Sequence, residues 1–369
     1  MLFPITPPDR IRSMLQEVCA LIEGAQSFVL TTHARPDGDA IGSVLGFAHY
    51  LRRKGKKATI INCDPTPFNL EWLPGADDIQ VFDGSLEQIR AVAEADVIAI
   101  MDANGAGRLG AVGKSVVASS ATKLLIDHHT NPERWFDLSY ARESASSTGQ
   151  LVYELIDADD PSLVDHTIAS ALYTAIVTDT GSFRFSNVSP DLHRLVADMI
   201  ERGGLDTSDV HSQIFDRKSP SSLRLLSRML NSLQVAHGDA ISYMVISRAM
   251  LQETGASIED TEGYVNWGLS IDGVRATLLF TETERGTKVS FRSHGVDHVH
   301  KWAQKLGGGG HPNASGAFVR KPLDQTIKMV VELAPRYLDL QAENPGEDTL
   351  SEEDQEYLTM LQASPRKRA

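Results

Sequence analysis

A run of apolar residues ends in one acid and two imidazoles at residues 124–129, LLIDHH. Asp127, His128 and His129 are poor strand formers and are costly to bury without partners. Carboxylate oxygens and imidazole nitrogens are also common ligands of divalent metal ions. By itself this tripeptide could also be a solvated loop, so its role depends on what other segments contribute.

Three further segments end in the same residue types. The segments contribute, in chain order, His33, Asp37, Asp39, Asp102 and Asp179. Any one of them alone is ordinary, because an Asp at the end of a strand most often belongs to a turn or a helix cap. Together, six converging carboxylate and imidazole groups would repel one another or remain poorly solvated without a cation. The combination therefore favours a metal site.

The donor set predicts the kind of ion. Carboxylate oxygens with a minority of imidazole nitrogens suit Mn²⁺ or Mg²⁺ better than zinc, because no cysteine takes part. Six ligands are too many for one ion that keeps positions open for water and substrate. They suit two ions roughly 3.5–4 Å apart, bridged by one carboxylate, as in phosphoryl hydrolases.

The elements that would position these residues follow from the apolar pattern. Nearly continuous apolar runs predict strands buried on both faces at 27–33, 57–63, 96–102 and 123–129. Helical spacing at 42–55 and 85–95 completes a βαβ pattern, which predicts an α/β domain with a doubly wound, mostly parallel sheet. Ligands bind at the carboxyl ends of the strands in such sheets, where these Asp and His residues lie.

The pattern changes after a predicted helix at 221–233. Residues 239–247, 274–283 and 287–294 resemble antiparallel strands, and 296–308 resemble a helix. These elements predict a smaller, C-terminal α+β domain. The predicted division is a catalytic domain (1–215), a linker helix (216–235), a second domain (236–340) and a polar tail (341–369). The composition of the tail favours disorder, with a loosely docked helix as the alternative.

The composition excludes several classes of protein. The chain has 369 residues, of which 41% are hydrophobic and 23% charged, as in a soluble protein with two cores. Two cysteines, no secretory pattern and no membrane-spanning run predict a cytoplasmic protein that binds no membrane. The net charge of −14 argues against a stable complex with long nucleic acid. The oligomeric state stays open, with a homodimer as one alternative.

The motifs resemble a known family. HARPDGDAIGS, MDANGAGRLG, IDHHTNP and VTDTGSFRFSN resemble the four motifs of the DHH phosphoesterases, in order. VSFRSHGVD and GGGGHPNASG resemble the C-terminal domain associated with that family. The most similar subgroup is the nanoRNase type, described as a bifunctional oligoribonuclease and 3′-phosphoadenosine 5′-phosphate (PAP) phosphatase. The resemblance implies an enzyme that hydrolyses short RNA oligonucleotides to mononucleotides and removes phosphate from PAP.

The resemblance also implies roles for individual residues. Two Mn²⁺ ions, or Mg²⁺ or Co²⁺, are expected. His33, Asp37 and Asp102 would hold the first ion, and Asp39, Asp102, His128 and Asp179 the second. His129 would contact the scissile phosphate or assist the leaving oxygen, and Asp127 would orient an imidazole. The substrate would be bound from the second domain by Arg292, Ser293, Gly308, Gly309, Gly310 and His311.

Two points stay open in this interpretation. The second motif departs from the family at Asn104 and Gly105, where relatives more often place Ser-Asp, so the resemblance implies no role for these two residues. An alternative activity is hydrolysis of linear or cyclic dinucleotides in second-messenger turnover. A nucleotide-sensing protein without turnover is a further alternative, although such a sensor need not keep every metal ligand.

Overall fold

The computed structural model describes residues 9–261, 263–338 and 352–363. The chain divides into two compact units, and the division falls between Arg217 and Lys218. Each unit contains one six-stranded sheet. Across the described ranges, no helix combines the length and the apolar character that crossing a bilayer requires.

The first unit is a parallel α/β domain. Its strands are β1 (Ser27–Thr31), β2 (Lys57–Asn62), β3 (Gln80–Val81), β4 (Val97–Met101), β5 (Thr122–Asp127) and β6 (Leu138–Ala141). Its helices are α1 (Asp9–Gly24), α2 (Gly38–Arg53), α3 (Leu86–Glu94), α4 (Gly113–Ala118), α5 (Thr148–Asp159), α6 (His166–Asp179), α7 (Pro190–Gly203) and α8 (Thr207–Phe215). The sheet order is β3-β2-β1-β4-β5-β6, and every neighbouring pair is parallel. The predicted doubly wound sheet is therefore confirmed.

The central strands are apolar because each face of the sheet is covered by a core. In β4, Val97, Ala99 and Met101 pack into one core, whereas Ile98 and Ile100 pack into the other. A strand buried on both faces has no reason to alternate with polar residues, which is why its sequence is continuously apolar. The first polar residue after this run, Asp102, lies at the carboxyl end of the strand.

Helices α2, α5 and α6 lie against one another on one side of the sheet. A side chain at Gly42 of α2 would meet the Ala171 carbonyl of α6 at 2.3 Å, and one at Gly149 of α5 would meet Ala175 at 2.4 Å. The two glycines therefore permit a close approach of the three helices. This approach fixes the start of α2, the start of α5 and the end of α6 relative to one another.

The second unit is an α+β domain. Its strands are β7 (Gln234–Ala236), β8 (Ile241–Ile246), β9 (Ala276–Thr283), β10 (Gly286–Ser293), β11 (Gly309–His311) and β12 (Ala314–Val319). Its helices are α9 (Pro220–Asn231), α10 (Arg248–Thr254), α11 (His300–Lys305), α12 (Leu323–Glu332), α13 (Ala334–Leu338) and α14 (Glu352–Ala363). The sheet order is β11-β12-β10-β9-β8-β7. The predicted α+β class is confirmed.

One strand pairing differs from the sequence interpretation. β9 and β10 are antiparallel as predicted, but β8 and β9 are parallel. A parallel pair needs a long crossover connection, and residues 247–275 provide one through α10 and a 3₁₀ segment at Tyr264–Ser270. The prediction of antiparallel strands was therefore wrong for this pair.

Three further differences concern helices. The helix predicted at 296–308 is observed only as α11, because the Asn313 side chain bonds the carbonyls of Gly295 and Asp297 and holds that stretch as a loop. The predicted linker helix is α9, which belongs to the second unit. The predicted tail falls partly on residues 341–351 and 364–369, which lie outside the described residues. Residues Glu352–Ala363 form a helix, which was the alternative to disorder, and Leu358 is buried in the core of the second unit.

Candidate metal centre

The candidate site lies at the carboxyl end of the first sheet, where the strand order reverses between β1 and β4. Loops diverge at such a reversal and leave a crevice, which is where open α/β sheets bind ligands. The segment after β1 and the start of α2 carry His33, Asp37 and Asp39, and Asp102 directly follows β4. The end of β5 carries Asp127, His128 and His129, and α6 ends at Asp179. The six predicted metal ligands thus come from four segments of one unit.

The first group of ligands is His33, Asp37 and Asp102, whose donor atoms lie within 4.8 Å of one another. His33 Nδ1 lies 3.0 Å from the Ala34 carbonyl, which can only accept, so this nitrogen carries the proton. His33 Nε2 is buried without a hydrogen bond, 3.2 Å from Asp102 Oδ2 and 3.8 Å from Asp37 Oδ1. Once it has released its second proton, an imidazole with this tautomer presents a lone pair beside two carboxylates, which is an arrangement that suits a metal ion.

The second group is Asp39, His128 and Asp179, again within 4.8 Å. His128 Nδ1 faces the Ala145 carbonyl at 3.4 Å. His128 Nε2 lies 3.6 Å from Asp39 Oδ2, 3.5 Å from Asp179 Oδ2 and 3.5 Å from Asp102 Oδ1. Three carboxylate oxygens therefore surround one imidazole nitrogen.

Asp102 belongs to the first group and also contacts His128 of the second group. Its Oδ2 faces His33 and its Oδ1 faces His128, so the two oxygens point at different ligand sets. The residue has a φ of 56°, in the left-handed region that few residues other than glycine adopt. Asp and Asn tolerate this region better than most residues do. Asp102 therefore lies between the two groups, and its role as a bridging ligand stays a prediction.

The charge balance tests whether these residues fit a metal. Five carboxylates and three imidazoles meet here, so the site keeps a net negative charge even with every imidazole protonated. Burial, with the charge of Asp102, raises the pKa of Asp39 well above its usual range. Burial alone would lower the pKa of His33, but contacts with Asp102 and Asp37 raise it to about 10. Carboxylates and imidazoles crowded in this way fit divalent cations, whose charge would offset the repulsion.

Asp127 and His129 form a separate pair beside the two groups. Asp127 is fully buried, and its Oδ1 lies 2.8 Å from His129 Nδ1. A carboxylate accepts, so His129 Nδ1 donates the proton. His129 Nδ1 also lies 3.4 Å from Asp102 Oδ1. The pair therefore fixes the tautomer of His129 and leaves Nε2 as its second functional atom.

The start of α5 holds two of the predicted ligands in place. The sequence did not predict this support. The backbone N–H of Thr148 donates to Asp39 Oδ2 at 2.7 Å, and that of Gly149 donates to Oδ1 at 2.9 Å. The Thr148 hydroxyl donates to Asp102 Oδ1 at 3.2 Å. First-turn N–H groups lack helical partners, and the helix dipole favours a carboxylate there. Nothing in the stretch SSTGQ at 146–150 identified the acid that its amides bind.

The unusual second motif connects two of the ligand-bearing loops. The Asn104 side chain donates to the Thr130 carbonyl at 2.8 Å, and the Asn104 carbonyl accepts from the Glu133 N–H at 2.8 Å. Glu133 in turn accepts from the Ala106 N–H at 3.0 Å. The loop after β4 is thus fastened to the loop after β5. Asn104 therefore has a structural role, which the sequence left open.

Arg292 and His311, two of the predicted substrate-binding residues, lie on one face of the second sheet. The strand register pairs Thr277 with Arg292, Arg292 with Ala314, and Ala314 with His311. Residues directly opposed in neighbouring strands project from the same face. Arg292 and His311 therefore share a face, with only the small side chain of Ala314 between them.

The other predicted substrate-binding residues have structural contacts. Ser293 lies on the opposite face from Arg292, and its buried hydroxyl donates to the Asp297 carbonyl. A side chain at Gly308 would meet the Gly316 carbonyl at 2.0 Å, which explains a glycine there by its closeness to β12. At Gly310 the φ of 137° also requires glycine, whereas nothing lies within 4 Å of a side chain at Gly309. Their roles in substrate binding stay predictions.

Comparison with known proteins gives two family matches. Residues 27–176 match the profile of the DHH family, N-terminal domain, and residues 241–337 match that of the DHHA1 domain. The first match contains five of the six predicted metal ligands, and Asp179 lies just beyond it. The second match contains every predicted substrate-binding residue.

Individual proteins are similar over most of the chain. A bifunctional oligoribonuclease and PAP phosphatase NrnA of Thermus thermophilus is 31% identical over 322 residues, or 86% of this chain and 92% of that protein. The cyclic-di-AMP phosphodiesterase PdeA of Listeria monocytogenes is 26% identical over 82% of this chain but only 46% of its own length. A crystal structure of an exopolyphosphatase-related protein from Bacteroides fragilis has a TM-score of 0.83 and 28% identity, covering 95% of this chain and 98% of that one.

Proposed function

Because this chain belongs to the DHH phosphoesterase family, we propose that it hydrolyses short RNA oligonucleotides to mononucleotides and removes phosphate from PAP. The proposal rests on the similarity to NrnA, which extends over 92% of that protein's length. The observation that carries the chemistry is the convergence of His33, Asp37, Asp39, Asp102, His128 and Asp179 at one sheet edge. Both reactions hydrolyse a phosphate ester, so one site can serve both.

The proposed cofactor is a pair of Mn²⁺ ions. His33, Asp37 and Asp102 would hold one ion, and Asp39, His128, Asp179 and Asp102 the other. Mn²⁺ is preferred because five of the seven contacts are carboxylates, and the group contains no thiolate. When bound, such ions activate the attacking water and neutralise charge on the phosphate. The compartment is proposed to be the cytoplasm.

The residues beside the ligands would handle protons and orientation. Asp127 holds Nδ1 of His129 at 2.8 Å, so Nε2 is the atom that would contact the scissile phosphate or protonate the leaving oxygen. Thr148 and Gly149 fix the Asp39 carboxylate through its two oxygens, which leaves its remaining lone pairs for ligation. These contacts preorganise the site before substrate arrives.

The second unit would supply phosphate recognition. Arg292 presents a planar guanidinium, which can bind a phosphate through two parallel hydrogen bonds. His311 lies on the same face, two strands away. Together with the backbone of Gly308, Gly309 and Gly310, these residues are the proposed substrate-binding set, and Ser293 would contribute by holding the loop that follows Arg292.

A second candidate activity is hydrolysis of linear or cyclic dinucleotides. The similarity to PdeA favours it, although the chain covers less than half of that protein. A sensor without turnover is less consistent with the site, because a complete ligand set would be unnecessary. The two activities use the same chemistry and differ only in substrate.

A substrate panel tests the proposal. Diadenylate, cyclic diadenylate, a short RNA and PAP would be incubated with the Mn²⁺-loaded protein, and products would be separated by chromatography. We expect diadenylate, short RNA and PAP to be hydrolysed faster than cyclic diadenylate. Preferential hydrolysis of cyclic diadenylate would favour the second candidate, and no turnover of any substrate would favour the sensor.

A further inference from the structure

Trp267 is a large aromatic residue with about half of its surface in solvent, 51%. It belongs to the 3₁₀ segment Tyr264–Ser270 of the second unit. Its neighbours Tyr264 and Val265 are buried in the core beneath α9, and Leu269 is 9% exposed. The segment is therefore anchored by its other apolar residues, while the indole adds little to the core.

The backbone beside Trp267 is held rigidly on the sheet. The carbonyl of Gly268 accepts a hydrogen bond from the Ser242 hydroxyl at 3.1 Å. A side chain at Gly268 would lie 2.0 Å from the hydroxyl oxygen of Thr277 and 2.4 Å from that of Ser242. The chain thus rests directly on these two residues, and only glycine permits that approach. An exposed ring on a fixed backbone loses little entropy when it binds a ligand.

Register places this segment beside Arg292. Thr277, on which Gly268 rests, is the direct partner of Arg292 in the antiparallel pair of β9 and β10. Opposed residues of such a pair lie about 4.5–5.5 Å apart and share a face. On this face Gly268 lies over Thr277, and the row of side chains continues from Thr277 through Arg292 and Ala314 to His311. Trp267 directly precedes Gly268 and therefore belongs to the Thr277 end of this row, on the side of Arg292 away from His311.

We propose that Trp267 is a stacking platform for a nucleobase whose phosphate is bound by Arg292. The inference rests on the proposed function and adds a base-binding subsite to it. An aromatic ring beside a guanidinium matches the two parts of a nucleotide, because the base offers a π face and the phosphate offers paired oxygens. Stacking accepts any base, so the subsite would give affinity for RNA ends without sequence preference.

A second exposed aromatic residue provides a matched control. Phe318 is 42% exposed and lies on the same sheet, paired with Lys288. It is four residues along β12 from Ala314, which corresponds to about 13 Å at the rise of a strand. Phe318 is thus similar in exposure but distant from the row that contains Arg292.

The test compares Trp267→Ala, Trp267→Phe and Phe318→Ala in the full chain with Mn²⁺. For diadenylate, we expect Trp267→Ala to raise KM by a factor of between about 5 and about 100 and to change kcat by less than about two-fold. Trp267→Phe should restore most of the affinity, since a phenyl ring also stacks. Phe318→Ala should match the wild type. An unchanged KM in Trp267→Ala, or a larger loss in Phe318→Ala, would overturn the proposal.

Two further measurements separate a base subsite from a structural effect and from failure of the proposed function. The first measurement uses two dinucleotides, each lacking one of the two bases. For the dinucleotide that lacks the stacked base, wild type and Trp267→Ala should have the same KM. Calorimetric titration with AMP needs no turnover, and its affinity should fall in Trp267→Ala by the same factor as KM rises. If the wild type does not hydrolyse diadenylate, the proposed function is refuted. If the wild type and Trp267→Ala bind AMP with equal affinity, the base-binding subsite is refuted.

Discussion

The backbone N–H of Thr148 donates to the carboxylate of Asp39 at 2.7 Å, across 109 residues of sequence. Asp39 lies in the first turn of α2, and Thr148 is the first residue of α5, so two helix starts meet at one proposed metal ligand. The Thr148 hydroxyl adds a bond to Asp102, the proposed bridge. One residue outside the motifs thus contacts ligands of both ions.

Replacing Thr148 by Val should weaken metal binding. Val keeps the shape of Thr and its backbone N–H, but it removes the hydrogen bond to Asp102 Oδ1. Loss of such an outer partner typically costs about 10- to 100-fold in metal affinity or activity. Titration of the metal-free protein with Mn²⁺ measures the effect, and Thr148→Ser is the matched control because it keeps the hydroxyl. Equal Mn²⁺ affinity in Thr148→Val and the wild type would show that the bond does not position Asp102.

Metal affinity should rise with pH. The raised pKa of His33, about 10, means that this imidazole is protonated in the metal-free protein at neutral pH and must release its proton to bind a cation. For each proton that must be released, the affinity for Mn²⁺ rises about ten-fold per pH unit as long as the pH is below that pKa. We expect Mn²⁺ to bind more tightly at pH 8.5 than at pH 6.5, as measured by calorimetry in buffers of different ionisation enthalpy. A constant affinity over this range would contradict the protonation state inferred for His33.

The same pKa sets how the stability of the metal-free protein varies with pH. A group whose pKa is raised on folding stabilises the fold fully below its unfolded value, about 6.5 for His, and this contribution is lost as the pH rises through about 10. Thermal unfolding of the chelated protein should therefore shift to lower temperature between these pH values. Added Mn²⁺ should reduce the shift, because the ion replaces the proton.

Arg292 should affect substrate binding without affecting the metals. Loss of a paired guanidinium contact to a phosphate costs about 2–4 kcal/mol, which corresponds to roughly a ten- to thousand-fold loss in kcat/KM. Arg292→Ala should bind Mn²⁺ like the wild type, turn over diadenylate poorly and lose less on bis-p-nitrophenyl phosphate. Arg285→Ala removes an exposed arginine from the turn between β9 and β10 and serves as the control. Weakened Mn²⁺ binding in Arg292→Ala would show that this residue belongs to a different site.

Short RNA should be a better substrate than long RNA. The chain has 49 acidic and 35 basic residues, and its net charge of −14 repels long polyanions. Oligonucleotides of two to five residues should therefore be hydrolysed faster than a long unstructured RNA, by about ten-fold or more at low salt. Products should be mononucleotides, released one at a time. Internal fragments from the long RNA in gel analysis would contradict this expectation.

The sequence predicted the parts of the fold that are under strong physical constraint. β1, β2, β4 and β5 were recognised because strands buried on both faces must be apolar, and the polar residues that follow them stood out for the same reason. β3, with two residues, has too little pattern to recognise. The parallel pairing of β8 and β9 depends on how residues 247–275 cross over, which local spacing does not encode.

The supporting contacts of the site were also beyond the sequence. Thr148 and Asn104 act through single hydrogen bonds to residues distant in the chain, and such bonds leave no periodicity. The family resemblance placed Ser293 with Arg292 in one motif, yet neighbouring strand residues face opposite sides. The residue types thus predicted the chemistry, whereas the partner of each residue depended on tertiary structure.

The most direct test of this account is the number of Mn²⁺ ions bound per chain, measured by calorimetry together with hydrolysis of diadenylate. The wild type should bind two ions, and activity should require both. Asp102→Asn is the informative variant, because Asn tolerates the positive φ of this position but lacks the charge of a bridging carboxylate. It should lose the paired stoichiometry, and its activity should fall by more than the roughly 100-fold cost of losing an outer partner. Hydrolysis by the fully chelated wild type, or unchanged stoichiometry and activity in Asp102→Asn, would contradict a centre bridged by Asp102.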